Sequence, residues 1–287
     1  MKLQYLGTSA AEGWPAPFCR CKACARARRR GGKDLRTRSQ AIIDDQLLLD
    51  LPGDTLAHCN RFGLNLSSVD HLLVTHAHLD HFSCFDLHLR IAPYQNGAAP
   101  IEVYCNETVF QAFIASLEPY LSHYGEHIHF HIVHAFESFE AGQYRVEAIR
   151  ADHTPGEECL FYRVSRDGQS LLYAHDTGWF PEDTWTFLEG KRNDIVSLDC
   201  TFCLEEGNKR HMGLPACVKV KERMLLNGMA DEHTTFIINH FTHNCSGGNG
   251  HQEIVAAAER LGFLTAYDGM IITCGKEEGK GREEWAD

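Results

Sequence analysis

Apolar residues fall along this chain in short runs broken by turn-forming residues, which is the spacing of strands, with stretches of helical period between them. The opening "KLQYLG" predicts a strand, and "QAIID" and "QLLLDL" on either side of Asp44 and Asp45 predict a hairpin. The run "HLLVT" at 71–75 predicts a buried strand, and residues 53–62 a short helix. Val109, Phe110, Phe113 and Leu117 recur at helical spacing and predict a helix over 107–121. Further strands are predicted at 101–105, 128–133, 143–150, 159–165, 170–174, 194–198, 234–239 and 270–273, with helices near 215–227 and 250–261. Many strands with helices between them imply an α/β fold built as a layered sandwich. No repeat and no Pro/Gly-rich boundary interrupts the pattern. The expectation is one domain over 1–275, with a small lobe at about 15–38 and a polar tail at 276–287.

Charge narrows the function classes. Lys+Arg 27 against Asp+Glu 39 gives a formal net charge of −12, which disfavours nucleic acid and anionic membranes as bulk partners. No stretch reaches the ~20 consecutive apolar residues of a membrane span. The start "MKLQYLGTSA" lacks the basic and apolar regions of an export signal, so a cytoplasmic location is expected. With 12 Cys and 18 His in such a chain, metal binding is the better reading than disulfides. Residues 19–38 carry nine Lys/Arg and one Asp, a basic patch on an acidic body, and Arg36 and Arg38 are candidates for contact with a substrate phosphate.

The chemistry concentrates after the strand at 71–75. His76, His78, Asp80 and His81 place four ligand-type side chains in six residues at a strand's carboxyl end, a set suited to zinc, iron or manganese. "VTHAHLDH" resembles the H-x-H-x-D-H signature of the metallo-β-lactamase superfamily, and the resemblance runs from residue 1 to about 274. It implies a four-layer αββα sandwich with two divalent metal ions. By the same resemblance His153 in "IRADHTPG", Asp176 in "LLYAHDTG" and His240 in "FIINHFTH" complete the set. His76, His78 and His153 would hold one ion, Asp80, His81 and His240 the other, with Asp176 between them. Two such ions can activate water at neutral pH and clamp a phosphodiester.

Cys19, Cys21 and Cys24 supply three thiolates, and His243 is the candidate fourth ligand of a closed structural zinc. This pairing resembles the phosphoribosyl cyclic phosphate phosphodiesterases of the carbon–phosphorus lyase pathway. The implied activity is hydrolysis of a small cyclic or diester phosphate, foremost a phosphoribosyl 1,2-cyclic phosphate. "GTSAAEGWP" followed by "CRCKAC" is also similar to the pyrroloquinoline quinone biosynthesis protein B family, and the tRNA 3′-processing endonucleases share the catalytic motif; both stand as alternatives. In the phosphodiesterase family a catalytic His lies between the positions matched by Asp176 and His240, and His211 in "GNKRHMG" fills that interval as candidate general acid. Asp199 is expected to orient a metal ligand. His175 reads as packing, and His127, His129 and His131 as one solvated strand face. The partner is expected to be a small phosphate ester, and homodimerisation stays open.

Overall fold

The computed structural model describes residues 1–245 and 247–274; the predicted polar tail at 276–287 lies outside the described residues. Two seven-stranded sheets pack face to face. The first is built by β1 (Lys2–Gly7), β2 (Gln40–Ile43), β3 (Leu47–Leu49), β4 (His71–Leu73), β5 (Ile101–Cys105) and β6 (Ile128–Ile132). The second follows with β7 (Ser138–Ala141), β8 (Tyr144–Arg150), β9 (Leu160–Arg166), β10 (Gln169–Ala174), β11 (Ile195–Asp199), β12 (Thr235–Asn239) and β13 (Leu264–Thr265). The last strand, β14 (Ile271–Thr273), crosses back and pairs antiparallel with β1. Within each sheet, four neighbouring strands run parallel, β3 to β6 and β10 to β13.

Alternation along the strands sorts side chains into layers. Leu3, Tyr5, Leu47, Leu49, Leu73, Tyr162, Leu171, Tyr173 and Ile237 fill the space between the sheets. Leu172, Val196, Phe236 and Ile238 face outward and are covered by α5 (Glu182–Leu188), α6 (Leu214–Leu226) and α7 (His251–Glu259) through Trp185, Leu188, Val220, Met224 and Ile254. Ile42, Leu48, Leu72 and Val103 take α2 (Thr55–Phe62), α3 (Cys84–His88) and α4 (Glu107–Ser116) on the other outer face. The result is the predicted four-layer αββα order. Among the described residues no helix is long and apolar enough to cross a membrane.

Three departures from the expected elements have local causes. The strand at 71–75 leaves its ladder after Leu73, because Thr75 turns its amide and hydroxyl onto Asp50 Oδ1 (2.8 and 3.0 Å) and starts the ligand loop. The helix expected to reach 121 stops at Ser116, since Leu117 and Glu118 are extended ahead of Pro119. The segment at 22–30 is a helix, α1 (Lys22–Arg30), with Ala23, Cys24 and Ala27 buried on one face and Arg28, Arg29 and Arg30 at its negative end. Its charge is answered in part by α7: Arg26 and Arg30 reach Glu253 at 3.0 and 3.4 Å. The expectation that Arg36 meets substrate is corrected here. Arg36 is buried and donates to Thr8 Oγ1 (2.8 Å) and the Ala266 carbonyl (2.7 Å) while facing His251 Nδ1 at 2.9 Å, so its guanidinium is consumed in joining chain segments.

One close approach couples this frame to the site. The β1–β2 register shifts at Gly7, and Thr8 and Ser9 both donate to the Thr37 carbonyl. Thr8 and Ala10 then exchange hydrogen bonds with Phe241, the neighbour of His240. A Cβ on Gly7 would stand 1.8 Å from the Arg38 carbonyl oxygen, in backbone that is pinned on both sides. Gly7→Ala should therefore destabilise the fold by roughly 1–3 kcal/mol, the usual range for overpacking. An unchanged thermal midpoint would show that this contact yields freely.

Candidate metal centre

Each of the seven ligands predicted for the catalytic pair sits just past the carboxyl end of a strand, where an α/β sheet presents its loops. His76, His78, Asp80 and His81 follow β4, His153 follows β8, Asp176 follows β10 and His240 follows β12. The structure brings all seven together. His76, His78 and His153 form one group of convergent ligand atoms, and Asp80, His81 and His240 another. His153 Nε2 lies 3.1 Å from His78 Nδ1, and His81 Nε2 lies 3.2 Å from His240 Nε2. Asp176 stands between the groups: Oδ1 is 3.7 Å from His153 Nε2, while Oδ2 is 2.8 Å from His81 Nε2 and 3.1 Å from His240 Nε2. Asp176 and His240 both hold the left-handed backbone region (φ 50° and 65°), a conformation costly for residues other than glycine and common at sites the surroundings over-determine.

The donor set fits divalent cations. Asp176 Oδ2 and His76 Nε2 are buried without a hydrogen-bond partner, although imidazole nitrogens crowd the carboxylate. Such atoms aim at shared points in space rather than at each other, and buried polar atoms left without partners are expensive unless something else meets them. The carboxylates of the site draw positive charge towards them. Burial alone disfavours a charged His81, yet Asp176, Asp50 and Asp80 together hold its pKa well above the usual value. Burial pushes His76 the other way, to the neutral form a metal ligand needs.

Behind the ligands lies a layer that the sequence reveals only in part. Asp199 lies there: it accepts from the Asp176 amide (3.1 Å), the Met212 amide (2.9 Å) and the Thr201 hydroxyl (3.1 Å). Thr201 in turn meets His240 Nδ1 at 2.8 Å. Asp50 is a site residue that the sequence pattern does not single out, since it reads as part of a hairpin strand. Its Oδ2 lies 2.7 Å from His81 Nδ1 and fixes that ring, while its Oδ1 holds Thr75. The signal present in the sequence is an acidic residue closing the apolar run "LLLDL" where it runs beside the ligand strand. His175 is buried packing as expected, its Nε2 2.7 Å from Ser197 Oγ. His129 and His131 lie on the exposed face of β6 and pair with Glu102 at 2.8 and 2.5 Å.

His211 enters from the loop before α6. Its Nδ1 lies 3.0 Å from Asp199 Oδ2 and 3.9 Å from Asp176 Oδ1, and its ring stands edge-on to His153 with centroids 4.8 Å apart. Burial works against its charge, but Asp199 and then Asp176 lift its pKa to about 9; a cation held by Asp176 would act in the opposite sense. The loop is seated by Gly178, where a Cβ would lie 1.9 Å from the Lys209 carbonyl oxygen. Arg38 is partly exposed, with Nε on the Ala11 carbonyl (2.9 Å) and Nη1 3.5 Å from Asp54 Oδ2.

A second cluster gathers Cys19, Cys21, Cys24 and His243, whose ligand atoms all lie within 4.8 Å of one another. Cys21 Sγ is 3.5 Å and Cys19 Sγ 3.8 Å from His243 Nδ1, against the roughly 3.5–3.8 Å edges of a tetrahedral zinc with such ligands. Burial would raise the Cys21 thiol, but hydrogen bonds from the Cys24 amide, its neighbouring thiols and His243 draw it down to about 7. Glu12 lies 3.7 Å from His243 Nε2 and accepts from Thr242, steadying the ring from the far side. Of the other nine cysteines, Cys105, Cys159, Cys200, Cys203, Cys217 and Cys274 are buried as expected, while Cys59, Cys84 and Cys245 are half-buried.

Fold and site together define a metal-dependent hydrolase. The chain belongs to the metallo-β-lactamase superfamily: the family model described as "Beta-lactamase superfamily domain" matches residues 49–228. No curated protein sequence matches it significantly. Among solved structures, it is similar to a diphosphatase from the PhnP family, with 22% identity, 95% of this chain and 97% of that one covered, and a TM-score of 0.71. Zn²⁺-bound PqqB from Methylobacterium extorquens gives 18% identity, coverage of 95% and 100%, and a TM-score of 0.74. Human tRNase Z, short form, gives 17%, 96% and 100%, and 0.66. At these identities the structural likeness speaks for the fold.

Two outcomes test the geometry. Asp50→Ala should weaken metal binding roughly 10–100-fold in a chelator competition, the usual cost of losing a carboxylate behind a ligating His; unchanged affinity would deny Asp50 its orienting role. Cys21→Ser should release one zinc per chain and lower the thermal midpoint, because a closed four-ligand site contributes directly to folding. An unchanged metal count would remove the cysteine cluster as a zinc site.

Proposed function

We propose that this protein is a phosphodiesterase that hydrolyses a small cyclic or diester phosphate, foremost a phosphoribosyl 1,2-cyclic phosphate. The observation that carries this reading is Asp176, whose two oxygens address the two ligand groups separately, with His211 at the rim of the same space. The intact set of seven ligands favours hydrolysis over the cofactor-biosynthesis reading, and the likeness to a PhnP-family diphosphatase favours phosphate chemistry. A net charge of −12 favours a small ester over an RNA partner. His76, His78 and His153 would hold one divalent ion and Asp80, His81 and His240 a second, with Asp176 shared; zinc, manganese and iron all suit these donors. Cys19, Cys21, Cys24 and His243 would hold one structural zinc. Ions held by the seven imidazole and carboxylate ligands would supply a nucleophile from water at neutral pH and neutralise charge on the phosphoryl oxygens.

The protein's own part is positioning and proton transfer. Asp50 and Thr201 lock the rings of His81 and His240, so the ligand directions are set before substrate arrives. His211 is anchored at Nδ1 by Asp199, which leaves its other ring nitrogen to protonate the ribose oxygen as the P–O bond breaks, the ring becoming neutral.

The test uses two leaving groups. The metal-loaded protein should hydrolyse bis(p-nitrophenyl) phosphate and lose that activity on chelation. His211→Ala should cost roughly 10²–10⁴-fold on a ribose cyclic phosphate, whose alkoxide needs a proton, and far less on the nitrophenyl ester. Equal losses on both substrates, with metal content unchanged, would make His211 a positioning residue instead of the acid.

A further inference from the structure

The loop between β8 and β9 does more than supply His153. Ala151 donates to the Cys159 carbonyl (2.9 Å) and closes it into a narrow hairpin, whose tip lies along the ligand loop of the other sheet. Thr154 Oγ1 is 3.1 Å from His78 Nε2, and Glu157 Oε1 accepts from the Ala77 amide at 2.8 Å, between ligands His76 and His78. Asn106, buried at the end of β5, donates Nδ2 to the same Glu157 oxygen (2.9 Å) and to the Glu158 carbonyl (2.9 Å), while its Oδ1 caps α4. As the loop gives way to β9, the Leu160 amide donates to the Thr75 carbonyl (3.0 Å). The hairpin thus ties the two sheets together beside the three-histidine group.

Each ring in that group has one nitrogen turned inward and the other held from behind. His78 Nδ1 faces His153 Nε2 at 3.1 Å, so its Nε2 carries the proton and donates to Thr154. His76 Nδ1 meets Thr75 Oγ1 at 3.0 Å, and His153 Nδ1 meets the Arg210 carbonyl at 3.4 Å. His78 is the exposed member of the three, and Thr154 sets its direction where packing does not. The other ligand group is anchored elsewhere. Leu51 donates to the His81 carbonyl (2.7 Å), Asp50 holds the His81 ring and Thr201 the His240 ring. None of these contacts runs through the hairpin.

We infer that Thr154 and Glu157 are positioning residues dedicated to the three-histidine site, so that the two sites of the metal centre can be weakened one at a time. Glu157 acts as an acceptor and not through its charge, since both hydrogen bonds it receives fall on Oε1, an atom that glutamine retains. Thr154 acts through a hydroxyl, which serine retains and valine lacks. The role assigned to the hairpin rests on the grouping of ligands around two ions proposed above, and is independent of which ester is hydrolysed.

Zinc loading of the full chain, followed by competition against chelators of graded strength, reads the sites separately from turnover. The unmodified protein should hold three equivalents, two at the centre and one among the cysteines. Glu157→Ala and Thr154→Val should each weaken one equivalent roughly 10–100-fold and leave the other two unchanged, the usual cost of losing a group that orients a ligand. Glu157→Gln and Thr154→Ser should restore all three affinities, and adding Asp50→Ala to either weakened variant should loosen a second, different equivalent. Thr154 is only half-buried, so Thr154→Val keeps the test available should Glu157→Ala fail to fold. Unchanged affinities in the weakened variants, equal loosening of both ions of the centre, or no rescue by glutamine and serine would overturn the inference. Three equivalents and the expected rescue in a protein that hydrolyses no phosphodiester would sink the proposed reaction and leave the hairpin's role standing.

Discussion

Seven imidazole and carboxylate groups meet in one buried space, and without positive charge between them that arrangement has little to recommend it. Nitrogens 3.1 and 3.2 Å apart and a carboxylate oxygen with no hydrogen bond are groups taken from water and not repaid by each other. Much of the surrounding architecture answers that constraint. Asp50 faces His81 from below, Asp199 holds the amide of Asp176, and Thr201 spans His211 and His240. Strained backbone at Asp50, Asp176 and His240 persists because hydrogen bonds on either side leave no relaxed alternative.

The cysteine cluster belongs to the same mechanical system. His243 is three residues beyond His240, and the Phe241 between them is paired on both sides with the continuation of β1. The segment at 19–24 is thereby joined to His240, the last residue of the candidate metal centre, through the His243 contacts and a few backbone hydrogen bonds. Arg36 serves that frame as well, joining the segment after β1 to Ala266 and His251.

The ligand positions were legible in the sequence because the chemistry needs donor types that are rare in strand-end loops, and a run such as His76 to His81 suits little besides metal binding. Layer order was legible because apolar runs of strand length alternate with helical ones. What stayed hidden has a common cause: its meaning is set by neighbours distant in sequence. Asp50 is an ordinary acidic residue until β3 lies beside β4, and Arg36 looks like a surface cation until β1, the 36–38 segment and α7 close around it. Short elements such as α3, α5, β7 and β13 carry too few residues to show a period. The helix at 22–30 is hidden by its own charge, since only Ala23, Cys24 and Ala27 give it an inner face.

The split of the chain between two sheets carries a consequence for how the centre comes into being. Ligands His76 to His81 are made with the first sheet, but Asp176 and His240 belong to the second, and the first ligand and the last are 164 positions apart. At about 5–20 residues per second, a ribosome takes on the order of ten seconds to cover that interval. Throughout it the nascent protein offers a metal only a partial grip. Full-strength capture waits for both sheets to dock, so the choice of ion falls to the nearly finished fold, in which every ligand direction is already imposed.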